Sequence, residues 1–261
     1  MLSENGALAT FEDTLIMKKS ITFIAGFLIL FFVYHFPEFF QPFWITAVFK
    51  IGFLAVAIIL CRLQGWKRLD GYGLAFVKNW YTMLFIGLLA GYGAYVLSIV
   101  TSIGLYSVQL QYVQSFRTIL YNLPLTLVIT FFPSIAEDIL TRGYLYGHLK
   151  HLKPAVWIAL SSAIYVLNHI WRLDDGLPVL SYLLLLGLVL AICVWAKRSL
   201  WLALGIHWGA NIAFEQTNAA LSLSSEGNPD ASNWSLSLVW GIVLVILIII
   251  YRRGLTPEKD K

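Results

Sequence analysis

Long apolar stretches recur along most of this chain, each broken by a short polar or basic interval. Runs able to cross a hydrocarbon core of ~30 Å predict eight spans, at roughly 21–36, 43–60, 80–103, 119–147, 154–171, 177–195, 200–215 and 234–251. The first and seventh are the weakest as independent spans. The first follows Lys18 and Lys19 in the manner of a signal peptide. FFVYHFPEFF comes next instead of a small-residue cleavage site, so it reads as a span. Between the second and third, GWKRLDGYGLAFVKNW mixes basic and bulky apolar residues and reads as a segment lying along the cytoplasmic surface. The polar, Gly/Pro-punctuated residues 216–233 read as an external loop. Gly87 with Gly91, and Gly205 with Gly209, carry the small-xxx-small spacing that permits close helix contact, a common and weak signal. The predicted fold class is therefore all-α: a polytopic membrane protein whose bundled, conical core encloses an intramembrane cavity.

Composition agrees. With 59% hydrophobic and 12% charged residues, the chain lies far from soluble proteins, where about a quarter of residues are charged. A net charge of +4 can suggest nucleic acid, but here the basic residues segregate. Lys18, Lys19, Arg62, Lys67, Arg68, Lys78, Arg142, Lys150, Lys153, Lys197, Arg198, Arg252, Arg253, Lys259 and Lys261 fall on one predicted side. The other holds Arg117 and Arg172 with Glu38, Asp174, Asp175, Glu215, Glu226 and Asp230. The positive-inside rule then places both termini in the cytoplasm. No nucleic-acid partner is expected; the lipid bilayer is. Trp44, Trp66, Trp80, Trp157, Trp171, Trp195, Trp201 and Trp234 fit an interfacial aromatic belt. Cys61 and Cys193 read as reduced packing residues, with palmitoylation as a minor alternative.

The candidate chemistry lies inside the spans, where a charge costs several kcal/mol. Glu137, Asp138 and Arg142 sit in FFPSIAEDILTRGYLYG, His169 ends AIYVLNH, and His207 and Asn211 lie in LALGIHWGANIAF. At ~1.5 Å per residue, Glu137 is roughly 15 Å from the cytoplasmic end of its helix, His169 roughly 22 Å in, His207 roughly 10 Å and Asn211 roughly 16 Å. Three helices thus bring polar groups to overlapping depths. Asp138 and Arg142, four apart, share a face and can pair, which leaves Glu137 rotated by about 100° and free to point elsewhere. Pro133, one turn earlier, frees a carbonyl and can open room for water. A carboxylate with an imidazole can activate water, and His207 with Asn211 can stabilise an oxyanion. Alternatively, Glu137, His169 and His207 can serve as ligands of a divalent metal such as zinc. No H-E-x-x-H motif demands one, and the metal-free version is the one carried forward. A peptide-binding or immunity protein that does not cut, and a proton-coupled transporter to which Lys50 in mid-span would belong, are the rival readings.

At these residues the chain resembles the CPBP family of intramembrane proteases (CAAX protease and bacteriocin-processing, or ABI, proteins), in the bacterial style. Its pattern E-E-x-x-x-R, F-x-x-x-H, H-x-x-x-N reads here as Glu137-Asp138…Arg142, Tyr165…His169 and His207…Asn211. Asp138 replaces the usual second Glu, Tyr165 the usual Phe, and Thr141 an apolar residue. The resemblance implies a multi-pass protease of the bacterial inner membrane that cuts a peptide or protein at the membrane. Glu137, His169, His207 and Asn211 would be catalytic and Asp138 and Arg142 supporting. Family members are described both as metalloproteases and as metal-free glutamate enzymes. The implied organisation is N-terminal helices and an interfacial segment over 1–118, a catalytic core over 119–215, and an external loop with a C-terminal helix over 216–261.

Overall fold

The computed structural model describes residues 4–40, 42–225 and 228–255. The C-terminal Lys259 and Lys261, and Glu226, which entered the charge count, lie outside them. Helices dominate: α1 (Glu4–His35), α2 (Phe43–Leu63), α3 (Trp80–Tyr106), α4 (Phe116–Asp138), α5 (Tyr144–Leu149), α6 (Pro154–Leu167), α7 (Leu177–Lys197), α8 (Trp201–Ala220) and α9 (Ala231–Leu255). Residues Ile139–Gly143 form a π-helical turn that joins α4 to α5. Local sequence sets several boundaries. Ser115 caps α4 by accepting from the Thr118 N–H at 3.2 Å. Pro154 opens α6, where its missing donor costs nothing, and Gly176, at φ +87°, turns the chain into α7.

The protein is an all-α polytopic membrane protein. Among the described residues, six helical stretches are long and apolar enough to cross a bilayer: Met17–Phe39, Phe43–Leu63, Trp80–Tyr106, Phe116–Leu149, Leu177–Lys197 and Ala231–Arg252. The other two expected spans are of a different kind. α6 is apolar but has only 14 residues, about 21 Å of helix at 1.5 Å each. α8 carries His207, Asn211, Glu215, Gln216 and Asn218, too many polar groups for a lipid-facing helix, and most of it is buried in protein. Burial also ranks the spans. In α7 the most apolar window is 61% buried, against 17–28% in the other five, because α6, α8 and α9 pack around it. Their outer faces, including Leu28, Ile51, Phe85 and Ile249, are exposed apolar surface for lipid to cover.

The glycine spacing marks the tightest helix contact. A Cβ on Gly91 would stand 1.9 Å from the Ile206 carbonyl oxygen, and one on Gly209 would stand 2.1 Å from that of Leu88. Gly87 and Gly205 meet the opposing backbone in the same way, at 2.4 Å and 2.2 Å. α3 and α8 therefore touch backbone to backbone. Van der Waals contact at such range replaces the hydrophobic drive that lipid cannot supply.

Three expectations change. Residues 216–233 are no simple loop: α8 runs to Ala220, strand β2 (Leu221–Ser224) follows, and α9 begins at Ala231. β2 pairs antiparallel with strand β1 (Gln109–Val113) in a two-stranded sheet, with a bulge between Leu110 and Tyr112. The basic segment after α2 does not simply lie along the surface. Tyr72 and Leu74 are buried, and Gly73 accepts from the Leu200 N–H at 2.8 Å. Burial pushes the Tyr72 phenol well above its ordinary pKa. Trp157, Trp195 and Trp201 are buried in the core instead of lying in a belt, whereas Trp44 and Trp171 are exposed. Cys61 and Cys193 are free, buried thiols.

Candidate active site

A cavity of about 690 Å³ opens beside α7 and α8, within the size of a small-ligand pocket. Glu137, His169, His207 and Asn211 all line it, with Tyr165 and Arg172 beside them. Asp138 and Arg142 are not at the cavity wall. They are wholly buried behind it. The three sequence motifs thus converge, in two layers.

The layers follow from helix geometry. Glu137 and Asp138 end α4, and one step along the helix turns them about 100° apart. Asp138 points inward, pairing with Arg142 and accepting from His207 Nδ1 at 3.2 Å. Arg142 reaches it from the π turn, and its guanidinium lies 4.4 Å over the Tyr165 ring. Tyr165 in place of Phe thus keeps the aromatic face on which the arginine rests. With Nδ1–H given to Asp138, His207 presents Nε2 to the cavity. Buried charges are tolerated only when paired, and this pair is.

Glu137 turns the other way. Its Oε2 accepts from the Tyr34 hydroxyl at 3.1 Å, while Oε1 lies 3.7 Å from His169 Nε2 and has no hydrogen bond. His169 sits just beyond α6, not within it, in the turn that leads to Arg172. Its Nδ1 faces the Tyr165 carbonyl at 2.9 Å. A carbonyl only accepts, so Nδ1 carries a proton; when the ring holds only that one, the Nε2 lone pair faces Glu137. Two acceptors at 3.7 Å cannot bond each other, but both can accept from one water. Asn211 is fixed on one side only. Its amide donates to Ser134 Oγ at 2.9 Å, and Ser134 in turn donates to the Thr130 carbonyl at 2.6 Å. The amide's second N–H and its oxygen remain for the cavity. At the wall, Arg172 donates to Asp175 and Tyr182. Burial opposes its charge, but these partners hold its pKa above the ordinary value.

Sequence reasoning missed Tyr34 and Ser134. Ser134 was findable, since it lies three residues before Glu137 on the same helix. Tyr34 was not, because nothing local ties α1 to α4. Lys50 donates to the Tyr34 carbonyl at 3.0 Å and lies 3.1 Å over the Tyr34 ring. It buttresses the tyrosine, which accounts for a buried lysine without a transport pathway. Among the described residues, no three His, Cys, Asp or Glu side chains converge as a metal ion requires. Glu137, His169 and His207 as arranged do not fit one, so no step is drawn through a metal.

A buried acid, two imidazoles and an amide thus surround one cavity of a multi-pass helical protein. Residues 119–213 match the family described as type II CAAX prenyl endopeptidase Rce1-like. The matched span contains every polar cavity residue named above, whereas Tyr34, which donates to Glu137, lies outside it; the match implies an endopeptidase acting on peptide substrates. No curated protein matches the chain.

Proposed function

We propose that the protein is an intramembrane endopeptidase that hydrolyses a peptide bond of a membrane-associated peptide or protein. The observation that carries this reading is Glu137 Oε1 facing His169 Nε2 across 3.7 Å at the wall of a shared cavity. A water set between them donates one hydrogen to each and aims a lone pair into the cavity. Its oxygen attacks the scissile carbonyl carbon as Glu137 takes the proton, a step worth about 10²–10⁴ in rate. The carbonyl oxygen becomes an oxyanion beside His207 and Asn211. When His207 carries its second proton, Nε2–H points at that oxygen and Asp138 balances the charge from behind. The free N–H of Asn211 is the second donor. The intermediate then expels the amine, Glu137 returns the proton to the leaving nitrogen, and a carboxylate and an amine depart.

Asp138 and Arg142 act as supports, and residues 119–215 form the catalytic unit, flanked by 1–118 and 216–261. The basic end of the bundle faces the cytoplasm of a bacterial inner membrane, with both termini there. The cavity mouth, which β2 lines, is at the opposite end.

The test is turnover of a quenched-fluorescent peptide library by purified protein in lipid nanodiscs. Glu137→Gln lowers cleavage by about 10²–10⁴ with unchanged thermal melting. Full turnover in that variant removes the proposal. Peptides that bind but are never cut by the unaltered protein would favour a binding role for the same cavity.

A further inference from the structure

One strand of the small sheet borders the cavity. Leu221, Ser222 and Leu223 all line the cavity, whereas no residue of β1 does. Side chains on a strand alternate between faces, so a strand that shows only one face to a cavity contributes every second residue. Three in succession mean that the strand presents its edge. That edge is the one away from β1, and among the described residues nothing pairs with it.

The hydrogen bonding gives the groups involved. The Gln114 N–H donates to the Ala220 carbonyl at 2.7 Å, so Ala220 points its backbone toward β1. Pairing then alternates along an antiparallel ladder. Opposite Tyr112 and Gln109, Ser222 and Ser224 turn inward to the ladder; opposite Val113 and Leu110, Leu221 and Leu223 turn outward. The Leu221 N–H already serves the Thr217 carbonyl at the end of α8. The Leu221 carbonyl and both backbone groups of Leu223 therefore face the cavity side.

We propose that the substrate binds as a third strand on this edge, in extended form, and is recognised there through its backbone. The idea rests on the endopeptidase reading above and supplies its substrate class: a peptide with an unstructured, extended stretch. About ten residues of α8, roughly 15 Å at 1.5 Å each, separate Asn211 from Leu221. An extended chain covers that distance in roughly four or five residues. Backbone recognition thus lies four or five residues from the bond that is cut, and it tolerates varied side chains because the contacts are main-chain hydrogen bonds.

The test uses the full chain in nanodiscs, carrying Glu137→Gln so that bound peptide is not consumed, with a pool of dodecapeptides as the probe. The tightest binder is remade with one N-methyl group at each backbone amide in turn. Affinity is expected to fall about tenfold at alternate positions within one short stretch and to hold within about twofold between them. Leu223→Pro removes the outward N–H, the donor to a substrate carbonyl, at an edge position that tolerates proline, and it lowers affinity for the unmethylated peptide about tenfold. Retention of no peptide, losses without a two-residue period, or undiminished affinity in a folded Leu223→Pro protein overturn the proposal. Should that variant fail to fold, the scan alone decides. The two readings separate cleanly. Alternating losses on peptides that the unaltered protein never cuts sink hydrolysis and leave the edge; cleavage indifferent to backbone methylation does the reverse.

Discussion

Glu137 and Asp138 are adjacent carboxylates on one helix, and the molecule treats them in opposite ways. Asp138 is enclosed, paired with Arg142 and bonded to His207. Glu137 is buried too, and each carboxylate has one oxygen without a hydrogen bond; the difference is that Glu137 lines a cavity with His169, whereas Asp138 lies behind it against an arginine. A buried charge paired with a cation holds a structure together. One at a cavity wall, with no arginine or lysine among the described residues bonded to it, is placed to meet a reactant. Under the proposed mechanism, the two consecutive acids serve as a brace and a base.

The comparison can be broken from either side. The largest structural effect is expected at the brace. Arg142→Ala leaves Asp138 charged and unpaired and should cost about 3–5 kcal/mol of stability, read as a drop in thermal melting. Glu137→Gln, one residue from Asp138, should leave melting unchanged, and equal melting losses in the two would dissolve the distinction. Next comes the cavity side: Asn211→Leu keeps the volume, removes a donor and should lower kcat by about 10²–10³ with little change in KM. Gly91→Ala places a methyl against the Ile206 carbonyl and should cost about 1–3 kcal/mol, measurable by urea or thermal unfolding in detergent. The smallest effect is at Tyr34. Tyr34→Phe removes one hydrogen bond from Glu137 and should slow turnover about tenfold without altering melting, which a pre-steady-state assay resolves.

Much of this was legible in the chain, and the exceptions share a cause. Local spacing found Asp138 with Arg142, and His207 with Asn211, because helix periodicity fixes those relations. The glycine pairs pointed to the α3–α8 contact, although the signal was too common to rank. The sheet was missed for want of attention to period. QLQYV and LSLS alternate polar and apolar residues, the mark of a strand, but the second lay inside a polar stretch that resembled a loop. The tryptophan belt failed for a different reason: hydrophobicity tells that a residue avoids water, not whether lipid or protein covers it. Tyr34 reaches Glu137 from α1 and Lys50 braces Tyr34 from α2, relations of the tertiary fold that no spacing within the chain records.

The α3–α8 seam carries a further consequence. His207 and Asn211 ride on a helix whose rear face has no side chains to absorb a disturbance, so the two are displaced together or not at all. An error at the seam would shift both side chains at once, beyond its cost in stability. The opposite wall, formed by β2 and the start of α9, bears no such constraint. Under the proposed function, that wall can change its side chains while the polar cavity residues on α4 and α8 stay in place.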